Sequence, residues 1–133
     1  MENYSVKILM AFAETFREDD GNFHQWLLSN GYPELAALSS AVRGSEEAFD
    51  WLMKNRFFQL AALDGAIDKQ AKATAWLAEH RFHLLLAIAG AVNDKPESLQ
   101  WLTERQLEIF LLIASRIKTF RNNQTWDYHK RRF

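Results

Sequence analysis

The sequence predicts an all-α protein, a short α-solenoid of stacked two-helix repeats of 25 residues. Three observations carry that expectation. Ala and Leu number 17 each against 14 for Val, Ile and Thr together, so strong helix formers outweigh β-branched residues. Two prolines and five glycines leave few helix breakers in 133 residues. The five tryptophans stand at Trp26, Trp51, Trp76, Trp101 and Trp126, every gap being 25. A fixed period of that size marks a helical repeat. The alternative architecture is an irregular helical bundle.

Further columns keep the same register. Leu27, Leu52, Leu77 and Leu102 follow the first four tryptophans, and Tyr32, Phe57, Phe82 and Leu107 stand six residues past them. Leu35, Leu60, Leu85 and Phe110 follow at nine, Leu38, Leu63, Ile88 and Ile113 at twelve, and Val42, Ile67, Val92 and Ile117 at sixteen. Spacings of 6, 9, 12 and 16 lie on one helical face. Ala41, Ala66 and Ala91 precede the last column, and Arg116 breaks the pattern.

Taken along the chain, residues 1–21 read as an N-terminal half repeat. Val6, Leu9, Phe12 and Phe16 reproduce the second-helix columns one residue early and cap the first full repeat, with Glu18-Asp19-Asp20-Gly21 as an acidic link. Residues 22–121 are the helical repeats. In each, a first helix ends near Trp-Leu, as in Glu46 to Lys54, and a second runs from the ring at six to the aliphatic at sixteen. Gly44 suits a C′ position, and Ser45 an N-cap ahead of Glu46 and Glu47. Asp94-Lys95-Pro96-Glu97 is the matching boundary in a later copy, and Gly31 and Pro33 separate the helices of the first. Residues 122–133 keep Trp126 but follow it with Asp127, so they read as a basic, aromatic capping tail that leaves the helix pattern. Its indole is expected to pack near Phe110, Ile113 or Ile117. The whole, 1–133, is one domain. Leu60-Ala61-Ala62-Leu63-Asp64-Gly65-Ala66-Ile67, followed by a helix ending in Trp76-Leu77, loosely resembles the helical part of ankyrin repeats. The period is shorter and the TPLH-type signature is absent, so the likeness is one of architecture.

Composition excludes several function classes. Without cysteine there is no disulfide, thiol nucleophile or Cys-ligated metal. The longest apolar run, Ile8 to Ala13, falls far short of the ~18 residues of a membrane span and makes a poor signal peptide. No membrane partner and a cytoplasmic location are expected. A net charge of −1 gives no global attraction to nucleic acid.

No catalytic motif emerges, so the chain is expected not to be an enzyme and to carry no cofactor. The serines lack a G-x-S-x-G elbow, and the isolated glycines form no phosphate loop. His80 and His83 are three apart beside Glu79, but without an HExxH motif polar edge residues are the simpler reading, and no metal is expected. The tryptophan column is read as core between layers rather than a ligand ladder.

What remains is a surface. Residues 1–66 carry 10 acids and 5 bases, net −5, and residues 67–133 carry 7 acids and 11 bases, net +4. Asn55, Arg56, His80, Arg81 and Arg105 would line one edge of the stack as a polar, basic ridge. The expected function is a non-enzymatic protein–protein interaction module with an unknown protein partner. Its candidate binding surface is Arg56, Phe58, Arg81 and His83 with the tail residues Tyr128, Lys130, Arg131 and Arg132. The alternative is a nucleic-acid or anion-binding protein using the basic C-terminal part.

Overall fold

The computed structural model describes residues 1–17 and 22–132, with side chains described as far as Gln124. Among these the backbone forms nine helices and no strand. They are α1 Val6–Glu14, α2 Phe23–Ser29, α3 Pro33–Val42, α4 Glu46–Lys54, α5 Phe58–Ile67, α6 Ala71–Glu79, α7 His83–Val92, α8 Pro96–Glu104 and α9 Glu108–Arg132. Helix bounds keep the register: α4, α6 and α8 begin at Glu46, Ala71 and Pro96, and α3, α5 and α7 at Pro33, Phe58 and His83.

Turn chemistry explains these bounds. The amides of Tyr32, Phe57, Phe82 and Leu107 donate to the carbonyls of Leu27, Leu52, Leu77 and Leu102 at 2.8–3.0 Å. This i to i−5 closure requires the preceding residue in the left-handed region. Gly31, Arg56, Arg81 and Gln106 hold φ of 86°, 64°, 59° and 57° there. The second turn of each repeat does the same, with Gly44, Lys69 and Asp94 left-handed and Ser45, Gln70 and Lys95 donating to Ser40, Gly65 and Gly90. Ser45 is the expected N-cap, its Oγ accepting from the Ala48 amide at 3.1 Å. Asp94 stands where Gly44 does and caps nothing.

Each even-numbered helix packs on the two odd-numbered helices that flank it in the chain, and each odd helix packs on the next odd one. The odd helices run in the same direction. At their N-terminal end the Tyr4 hydroxyl donates to Glu34 at 2.8 Å, and Tyr4 meets Tyr32 edge-on. At the other end Ser39 donates to Thr15, Arg43 to the Thr15 carbonyl, and Asn93 to the Ile67 carbonyl. The series does not stay open, because α1 also packs against α9. Five inner helices thus form a closed ring inside four outer ones. Arg116, the departure from the alanine column, marks the closure: its guanidinium lies 3.4 Å from Glu14 of α1. Phe120 of α9 packs on Phe16 at 6.1 Å between centroids and lies beneath the Arg43 guanidinium.

The ring is filled. Phe12, Leu38, Leu63, Ile88 and Ile113 are at most 1% exposed. Outer helices approach through small residues: a Cβ on Gly65 would lie 2.7 Å from Ala73, and one on Gly90 2.7 Å from the Ser98 Cβ. A helix with core on nearly every side needs apolar or small residues all round, as α7 has after His83 and α5 has apart from Gln59 and Asp64.

Three expectations are corrected. The fully buried member of each Trp-Leu pair is leucine, with Leu27, Leu52, Leu77 and Leu102 at 0% exposure, while the described tryptophans are half-buried. The leucine is buried in the core, and the indole lies along the turn, stacked on the aromatic side chain that opens the next helix (Trp51 on Phe57, Trp76 on Phe82). Val6 is exposed and Ile8 buried instead, because Val6 begins the first turn beyond the Ser5 cap. The tail expected over 122–133 does not leave the helix: α9 runs on to Arg132, with no glycine or proline after Glu108 to stop it. The side chain of Trp126, all of Phe133 and the link at 18–21 lie outside the described residues.

Candidate functional site

The residues expected to form a basic ridge have local work. Four residues past each of the first four tryptophans, a side-chain nitrogen meets that tryptophan's carbonyl: Asn30 and Asn55 at 2.8 Å, His80 Nδ1 at 2.9 Å and Arg105 at 3.2 Å. The Trp26, Trp51 and Trp76 carbonyls already accept the backbone amides of Asn30, Asn55 and His80, so these side chains add a second hydrogen bond at the helix C-terminus. His80 and Arg105 also stack on Trp76 and Trp101, with the Arg105 guanidinium 4.0 Å from the ring centroid. With His80 so held, no group of three or more metal-ligating side chains comes together among the described residues.

Of the expected binding surface, Arg56, Phe58, Arg81 and His83 are exposed. Arg81 and His83 line a depression of about 410 Å³ beneath Met1, Glu2 and Asn3. The chain there lies against the N-terminal end of α7, and burial lowers the pKa of the terminal amine. Tyr128, Lys130, Arg131 and Arg132 lie on α9, and their side chains are outside the described part. Three other bases of the C-terminal half serve the fold. Arg116 pairs with Glu14, Lys118 with Asp94 at 2.6 Å, and Arg121 with Asp68 at 2.6 Å. Packing of α9 on α1 and α7 brings these bases onto acids from earlier in the chain.

Phe58 belongs to a different setting. The outer helices α4 and α6 flank α5 and leave a groove of about 400 Å³. Phe49, Met53 and Trp76 form its walls, Phe58, Ala61 and Ala62 its floor. Met53 and Phe58 are each 42% exposed, which is unusual for side chains of their size.

The groove continues into a cleft of opposite character. Phe49 and Gln70 line both. The cleft, about 470 Å³, is bounded by Glu46 and Asp50 of α4, Asp64 of α5, Asp68 just after it, and the Gly44-Ser45 turn. No basic side chain among the described residues lines it. Asp64 is only 8% exposed, and its Oδ1 has no hydrogen-bond partner. Burial pushes its carboxyl up to about 6, and the nearby Asp68 charge adds to the rise against an opposing pull from Arg121.

Sequence reasoning passed over Asp64, although a signal was present. It stands thirteen residues past Trp51, where the other copies carry Ser39, Ala89 and Ala114. A lone carboxylate in a column of small, buried residues is the departure to look for.

No family model, curated protein or solved structure matches the chain. No described helix is long and apolar enough to cross a membrane.

Proposed function

We propose that the chain is a non-enzymatic interaction module of the cytoplasm. It captures a short segment of a partner protein that carries bulky apolar side chains next to a basic one. The observation behind this reading is the continuity of the apolar groove with the acidic cleft at Phe49 and Gln70. Apolar anchors give affinity by leaving water, at about 25 cal/mol per Å². Carboxylates alongside select a basic neighbour and steer its approach. Because the ring is filled, an extended partner meets the module on its outside, between outer helices. The nucleic-acid alternative draws less support, since Arg116, Lys118 and Arg121 are engaged with carboxylates of the same chain.

Selection of a random-peptide display library on the immobilised full-length chain tests the reading. Enriched peptides should place Leu, Phe or Trp within a few residues of Arg or Lys. Their binding should fall in Met53→Asp and Phe58→Asp, both at exposed positions. Enrichment without a basic residue, or binding indifferent to these substitutions, would overturn it.

A further inference from the structure

Within the site just described, the cleft is more specific than the groove. At the column of Asp64 the fold asks only for a small side chain. Ser39 fills it and donates to Thr15 Oγ1 at 2.8 Å, while Ala89 and Ala114 fill it with no polar group. Asp64 places a carboxylate there, nine-tenths buried, with Oδ1 unpartnered. Burial and the neighbouring acids oppose the charge, and Arg121, paired with Asp68, offsets them in part. Asp64 lies in the last turn of α5, where helix carbonyls disfavour an anion, and Asp68 is one turn further on. Glu46 and Asp50 face the same cleft from α4. A buried ionised group without a partner is costly, and a ligand of opposite charge removes that cost.

The geometry narrows the ligand. The carboxylates are spread over α4, α5 and the turn after α5, with no convergent set of three to hold a metal. Phe49 flanks them and offers an aromatic surface to a flat cation. Guanidinium is planar, weakly hydrated and forked, so it can bond a carboxylate and lie against a ring together. We propose that this cleft is a guanidinium site whose acceptor is the Asp64 carboxylate, and that its ligand is an alkylguanidinium of the arginine type. This deepens the reading above by naming the basic group of the captured segment. A free alkylguanidinium has the same chemistry.

Titration of the full-length chain with agmatine, followed by amide NMR, tests the proposal, with the diamine putrescine, which carries the same double charge without a guanidinium, and calcium chloride as comparison probes at matched ionic strength. Agmatine should shift the amides of Phe49, Asp64 and Asp68 saturably and bind about tenfold tighter than putrescine. Asp64→Ser, which installs the residue of the first copy, should lose about tenfold in agmatine affinity while keeping the native amide spectrum. Binding to the parent should weaken from pH 7.5 to pH 5 as Asp64 takes up a proton, with Asp68, Glu46, Asp50 and Arg121 the charges facing it. Equal agmatine affinity in Asp64→Ser, or equal response to all three probes, would overturn the proposal. Phe58→Asp separates the two readings, since it should abolish peptide capture and leave agmatine binding intact. Agmatine binding without any peptide selection would support the guanidinium site and overturn the peptide reading. Selected peptides that bind Asp64→Ser as well as the parent would do the reverse.

Discussion

Gly90→Ala sets two opposing effects against each other, and the structure decides the sign. Gly90 is inside α7, where alanine is favoured over glycine by about 1 kcal/mol. A Cβ at that position would lie 1.9 Å from the Ser98 Oγ and 2.7 Å from its Cβ. The hydroxyl can rotate away, but Cβ is fixed to the backbone of α8, so α8 must move off α7. Forcing an extra carbon into a packed interface costs about 1–3 kcal/mol, and so tight a contact belongs at the upper end. The net expectation is a loss of about 1–2 kcal/mol, or roughly 3–8 °C in Tm for a domain of this size. Urea unfolding followed by circular dichroism reads this directly. Adding Ser98→Gly transfers the missing carbon across the interface; parent and double variant then each carry one helix glycine at this pair, the propensity terms nearly cancel, and stability should return to within about 1 kcal/mol of the parent. A Gly90→Ala chain about 1 kcal/mol more stable than the parent would show the propensity gain unopposed. The close approach of α7 and α8 would then be refuted.

Three further expectations follow from the same structure. Asp64 has its carboxyl raised from 3.8 to about 6, so its protonated form favours folding fully below pH 3.8 and that benefit is lost as pH rises through 6. Asp64→Asn should therefore stabilise the chain by about 1–3 kcal/mol at pH 7.5 and by little at pH 4, and urea midpoints that shift equally at both would refute it. Gln106→Gly relieves a left-handed non-glycine residue at an exposed turn and should raise stability by about 0.5–1 kcal/mol; a lower Tm would contradict the turn geometry. Deleting residues 1–17 removes α1 and uncovers apolar surface on both α2 and α9, so light scattering should find dimers or aggregates, whereas a monomer with unchanged melting would refute the ring closure.

The 25-residue register made the helices legible because it is local information. Trp-Leu fixes where an outer helix ends, and the apolar columns fix which face of an inner helix is buried. Ring closure was not legible. A repeat specifies how one copy sits on the next, while closure depends on the small rotation per copy summed over five inner helices. Its trace in the sequence was Arg116 in an alanine column, which has no reading until Glu14 is beside it. The half-buried tryptophans were missed because size was taken for depth, when position beside the turn decides exposure. The polar ridge at these turns has a local role that the charge pattern did not show. Asn30, Asn55, His80 and Arg105 share the capacity to donate a hydrogen bond rather than a positive charge, and the carbonyl four residues back is what they serve.

A nearly regular array also gives a way to separate fold from function within a single chain. Positions that match across copies are explained by packing, capping and turn geometry, and the copies act as controls for one another. Where one copy departs from its column, either the fold compensates or a ligand does. Arg116 departs and pairs with Glu14, although its buried Nε has no hydrogen-bond partner, and Lys69 takes the place of Gly44 at a tolerable backbone cost. Asp64 departs with no hydrogen-bond partner at Oδ1, and its charge is opposed by burial and by Asp68. The exposed Phe58 lies in a column otherwise filled by Pro33, His83 and Glu108, and it opens onto the adjoining groove. Two departures that the fold does not require thus fall on joined concavities beside α4. That coincidence is the physical reason to look for a ligand there.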